Sequence, residues 1–187
     1  MSDFNSSLQT GPHDLTEMAS TLGYLSFGSI LMPTIEGVSV RADMDETTNA
    51  VLAVSFEHEG STLQVSAFAA AKNEPLWGEI YEQLKISVQD GGGKFTETIG
   101  GLGKQLETEL VTPNGPTPIR FIGFDGPRWF LRGVVSGAAL TDPSAAINME
   151  DIFRSLVVDR GSSPLPPREP LPLRLPDGTF APPKFEI

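Results

Sequence analysis

The stretch from Ile119 to Val135 constrains this chain more than any other. It reads as two apolar runs that meet at Gly126-Pro127. Folded as a hairpin, it puts Ile122 and Phe124 on one face with Trp129, Leu131 and Val135. The opposite face carries Ile119, Phe121, Phe130 and Val134. A half-solvated antiparallel hairpin alternates apolar with polar residues, whereas this one is apolar on both faces and must be covered on both. The fold therefore needs a layer on each side of a sheet with this hairpin at its centre.

The neighbouring segments supply the rest of the sheet. Val38, Val40 and Ala42 alternate with Ser39, Arg41 and Asp43, and Leu52, Val54 and Phe56 alternate with Ala53, Ser55 and Glu57. Glu59-Gly60 then turns the chain into Leu63, Val65, Ala67 and Ala69. Phe95–Ile99 and Leu102–Val111 follow, joined at Gly100-Gly101. Most connections are too short for parallel crossovers, so the spacing predicts about eight mainly antiparallel strands. Two segments break the period. Trp77, Ile80, Tyr81, Leu84 and Val88 share one helical face, opened by Asn73-Glu74-Pro75 and stopped by Gly91-Gly92-Gly93. A second helix starts with Asp142 as N-cap and Pro143 behind it, with Ala146, Met149, Phe153, Leu156 and Val157 as its stripe. The expected class is α+β.

Three zones emerge along the 187 residues. Residues 1–25 are polar and weakly patterned, with a short helix expected near Leu15–Leu22, and read as loosely ordered. Residues 26–160 form a single α+β domain. Residues 161–187 hold eight of the sixteen prolines, which forbids regular helix and most paired strand. This arm is nevertheless rich in Leu165, Leu171, Leu173, Leu175, Phe180 and Phe185. Such side chains form a sticky strip if left in water, so the arm is expected to dock on its own domain or on a neighbouring copy.

Charge narrows the function. With 24 acidic and 13 basic residues the formal charge is −11, and a surface of that sign repels nucleic-acid phosphates and anionic lipid. No nucleic-acid or membrane partner is expected. The absence of cysteine excludes disulfides, thiolate metal sites and cysteine nucleophiles. The first residues lack the basic and apolar regions of a signal peptide, so a cytoplasmic location is the expectation.

Asp43–Asn49 spaces its oxygens like a calcium loop, but it has Thr48 where glycine belongs and Val54 where the bidentate glutamate belongs. It reads as a solvated turn. Gly91–Lys94 and Gly100–Lys104 lack the spacing of a phosphate loop and open no helix. His58 lies at a strand end without a nucleophile elbow. No catalytic residue, cofactor or metal is assigned. The candidate partner or ligand site is Arg120, Arg128, Trp129 and Arg132, arginines interleaved with aromatics; pairing of these arginines within the fold is the structural alternative.

The string Pro118–Gly133 containing Gly-Pro-Arg-Trp-Phe-Leu-Arg-Gly, together with Phe27–Pro33, Leu63–Ala70, Leu76–Ile80, Glu150–Arg154 and the Pro/Leu pattern of Pro166–Pro176, resembles an uncharacterised actinobacterial family, a domain of unknown function. The likeness covers roughly residues 11–176. Two departures stand out: His13 replaces a larger aromatic, and a charged N-terminal extension is missing. The resemblance implies no activity or site residue, but it does imply that the arm belongs to the domain. The element order is also similar to a Mog1/PsbP-like α/β/α sandwich, which implies a fold used for binding and assembly.

Three functions follow as expectations. The first is a non-catalytic cytoplasmic binding or accessory protein acting through protein–protein contacts, with a second copy among its possible partners. The second is a small-molecule binder that holds an anionic ligand in an Arg/aromatic pocket. The third is a carboxylate- or metal-dependent enzyme.

Overall fold

The computed structural model describes residues 11–177. Among these residues eleven strands form two sheets. Four belong to a small sheet: β1 (His13–Asp14), β2 (Tyr24–Ser26), β3 (Ile30–Pro33) and β11 (Val157–Val158), in the order β1-β11-β3-β2. Seven form the main sheet: β4 (Ser39–Met44), β5 (Val51–His58), β6 (Ser61–Ala69), β7 (Phe95–Gly100), β8 (Gly103–Thr112), β9 (Gly115–Gly126) and β10 (Trp129–Gly137). Its order, β4-β5-β6-β10-β9-β8-β7, is antiparallel throughout. Among the described residues the one parallel pair, β1 with β11, lies in the small sheet. The fold is α+β, with three strands more than the eight expected. The extra strands are short pieces of the small sheet, too brief to show a period.

The β9–β10 hairpin sits at the centre of the main sheet, and both of its faces are covered. On one face α1 (Trp77–Asp90) packs Trp77 and Tyr81 over Leu106, Ile119, Phe121 and Phe130. The Trp77 and Phe130 rings stack at 5.9 Å. Gly123 makes room for this contact, because a Cβ there would run into the Trp77 indole and the Phe130 ring. On the other face α2 (Pro143–Ser155) and the small sheet bury Ile122, Trp129, Leu131 and Val135 against Met149, Ile152, Phe153, Ile30 and Val158.

The helix ends show which signals are local. Asp142 caps α2 through the Ser144 N–H, with Pro143 in the first turn. The helix stops at Ser155, so Leu156 and Val157 of the expected stripe lie beyond it, and Val157 joins β11 instead. The N-cap residue of α1, Leu76, contributes no side-chain bond. Its free N–H groups are met from across the sheet by Asp125 of β9, whose Oδ1 accepts from Leu76 N at 2.7 Å and Trp77 N at 3.1 Å.

Residues 11–25, expected to be loosely ordered, hold β1, a 3-10 turn at Leu15–Glu17 and the start of β2. The turn takes the place of the helix expected near Leu15–Leu22. A capping box holds it, with Asp14 accepting from Thr16 N and Glu17 accepting from Asp14 N. The Asp43–Asn49 segment is a turn between β4 and β5 in which Asp45 accepts from the N–H groups of Thr47 and Thr48. Asp43 itself points back onto the sheet. Burial pulls its carboxyl pKa upward, but hydrogen bonds from Ser55, Gln64 and Arg41 outweigh that and hold it below the usual value.

Candidate functional site

The four residues singled out on the hairpin end up in four different environments. Trp129 is 1% exposed and part of the core. Its indole N–H donates to Asp14 Oδ2 at 2.7 Å, so the residue offers nothing to a partner. The correction follows from its register. Trp129 lies opposite Gly126 and Ala69, in line with Leu131 and Val135 on the face that packs against α2 and the small sheet.

Arg120 is spent within the fold. Its guanidinium meets Glu107 Oε1 at 2.9 and 2.6 Å, and it reaches the carbonyls of Ala139 and Leu140. Arg132 stands on the α1-side face, half-buried, with its guanidinium 5.2 Å from the centre of the Phe68 ring. Burial draws its pKa down from the usual arginine value. No hydrogen bond or ion pair engages that guanidinium among the described residues.

Arg128 occupies the turn between β9 and β10. With Pro127 before it and φ of 62°, it takes the third position of a turn where glycine or asparagine is favoured. A left-handed arginine carries local strain on the order of 1–2 kcal/mol. Its backbone carbonyl is fixed, accepting from Ala70 N at 2.9 Å and from Arg160 Nε at 3.1 Å. Its side chain is exposed and makes no described contact inside the molecule. Beside it opens a recess of about 580 Å³ lined by Arg128, Arg160 and the first arm residues, Gly161–Pro166.

From there the arm crosses its own domain. β5 and β6 pair only between Val54/Val65 and His58/Ser61, which leaves the far end of β6 open on that side. The arm fills the gap. Arg168 N donates to Ala69 O, Ala69 N to Glu169 O and Leu171 N to Ala67 O. Pro170 and Pro172 take the alternate positions, where an N–H would point away from β6. On the arm's other side Pro172 O accepts from Ser29 N, and Arg174 N donates to Phe27 O. Leu171 is 3% exposed, and Leu165 and Leu173 pack against the same core. Leu175 is half-buried, while Phe180 and Phe185 lie outside the described residues. Arg168 ties the arm to α1 through Glu79 at 2.6 Å and Gln83 at 3.1 Å.

A family model described as protein of unknown function, DUF3710, matches residues 11–181. The chain belongs to this family. The matched region runs from the strand that carries Asp14 through the docked arm, so in DUF3710 both are parts of the domain. No curated protein and no solved structure matches the chain.

Several residues that shape the site escaped sequence reasoning. Asp14, Asp125 and Arg160 all act on the hairpin or its flanks, and each does so through partners far away along the chain. Among the described residues, no group of three or more histidines and carboxylates could hold a metal ion. No helix there is long and apolar enough to cross a membrane.

Proposed function

We propose that this protein is a non-catalytic, cytoplasmic binding module that engages a protein partner through the Arg128 turn and the neighbouring root of the arm. Its partner presents carboxylates, and a second copy of this acidic chain is one such partner. The observation that carries the reading is Arg128. A bulky cation sits where the backbone favours glycine, its side chain makes no contact among the described residues, and it lines an open recess with a second arginine. Strain retained at an exposed, unpaired side chain points to use of that side chain. A sheet with a helix on each face is the arrangement expected of a Mog1/PsbP-like sandwich, and the binding role is taken from that fold-level analogy alone.

Arg128→Gly tests this cleanly, because only the backbone of Arg128 serves the fold. The variant is expected to melt at the same temperature as the wild type or higher. It should also lose the proteins that the immobilised wild type retains, or the concentration-dependent increase in mass that marks self-association. The same retained proteins and the same mass for both chains would overturn the reading.

Arg132 favours a second reading, an anionic small molecule bound on the α1 side of the sheet. A half-buried guanidinium with no carboxylate partner among the described residues is suited to an anion. In a thermal-shift screen of phosphates and carboxylates, stabilisation that disappears in Arg132→Met but persists in Arg128→Gly is the expected signature. Equal stabilisation of both variants would remove Arg132 from consideration.

A further inference from the structure

A separate recess of about 210 Å³ lies between α2 and the loop that joins β3 to β4. Ile35, Val38 and Ile152 give it apolar walls, and Asp151, Ser155 and His58 also line it. His58 Nδ1 lies 3.0 Å from the Gly37 carbonyl, and a carbonyl only accepts, so that nitrogen carries the hydrogen. The ring Nε2 lies 3.7 Å from Glu59 Oε2. Ser155 Oγ already donates to Ile152 O at 2.6 Å. Asn148, also in the lining, can donate or accept.

Asp151 is the group left unbalanced. Its carboxylate makes no side-chain hydrogen bond or ion pair among the described residues. Burial raises its carboxyl pKa above the usual value; the Arg154 charge opposes that rise, and Glu150 adds to it. Glu36 brings a further carboxylate to the rim. The Asp151 carboxylate is half-buried and still open to water, so it is accessible to a charge-assisted donor. A cation with N–H groups at one end and an apolar chain at the other meets the carboxylate and the apolar walls together.

We propose that this recess binds a primary alkylammonium, its head group on Asp151 and its chain against Ile35, Val38 and Ile152. At about 30 Å³ per water, the volume corresponds to roughly seven waters, which suits the seven non-hydrogen atoms of n-hexylammonium. The proposal is independent of the Arg128 reading, since the two recesses share no residue.

The test is a titration of the isotopically labelled full chain, followed by amide NMR, with n-hexylammonium, 1-hexanol and hexanoate. The ammonium is expected to give saturable shifts centred on Val38, Asp151 and Ile152. Hexanol should bind roughly tenfold or more weakly, and hexanoate not at all. Asp151→Asn should weaken the ammonium about tenfold while leaving the hexanol titration unchanged, since it removes one charge-assisted contact. Hexanol binding as tightly as the ammonium, a wild-type titration in Asp151→Asn, or the absence of saturable shifts would each overturn the proposal. The three-ligand comparison on the wild type stands even if the variant is poorly folded.

Discussion

Trp129→Ala will unfold this protein more readily than any change at its neighbouring arginines, with a loss of about 3–5 kcal/mol. The indole is buried on the inner face of the central hairpin, and its removal opens a cavity between β10, α2 and the small sheet. It also takes from Asp14 Oδ2 its donor at 2.7 Å, in a carboxylate that is only 6% exposed. For a chain of this length each kcal/mol moves the melting temperature by about 2–4 °C, so a fall of roughly 6–20 °C is expected. Trp129→Phe keeps most of the volume and loses the hydrogen bond, costing about 1.5–3 kcal/mol. A Trp129→Ala protein that melts within about 2 °C of the wild type would show that the residue is not core.

The second large effect is expected from a chain that ends at Arg160. It loses the backbone bonds that Arg168, Glu169, Leu171, Pro172 and Arg174 make with the body, and the burial of Leu171. At about 1 kcal/mol for each hydrogen bond and about 2 kcal/mol for the leucine, the loss is on the order of 5 kcal/mol or more. The shortened chain also presents the open backbone of Ala67–Ala69, a strand edge of the kind that templates association. Thermal melts and light scattering should show a lower midpoint together with larger particles. Unchanged melting and monodisperse scattering would mean that the arm contacts carry no net energy.

What could be read from the residues, and what could not, divides by distance along the chain. The strands from β4 to β10 announce themselves by alternation, and the Trp77–Val88 stripe announces α1, because both signals lie within a few residues. The apolar faces of the Ile119–Val135 hairpin correctly require cover on each side. That same argument places Trp129 in line with Leu131 and Val135, on a face that must be buried. Its place among the candidate partner or ligand residues rested on the chemistry of arginines beside aromatics, whereas its register puts it in the core, where it is 1% exposed. Asp14, Asp125 and Arg160 gave no such warning. Asp14 meets an indole 115 positions away, and Asp125 caps a helix 49 and 48 positions before it. Nothing in either local neighbourhood encodes the partner. The arm is an intermediate case. Its composition demands a surface to lie on, but the gap beside Ala67–Ala69 exists only because β5 and β6 part company early.

The small sheet has a kinetic consequence. His13 pairs with Val157 and Asp14 with Val158, so its outer strand waits for residues that leave the ribosome more than a hundred positions later. The arm that completes β6 emerges later still. The residues of the central hairpin are therefore synthesised before either of its two fasteners, and a nascent chain stalled ahead of residue 157 should remain open to chaperones and proteases at Trp129. Closure of these distant contacts, rather than formation of the hairpin, is the step expected to set the rate at which the finished protein appears.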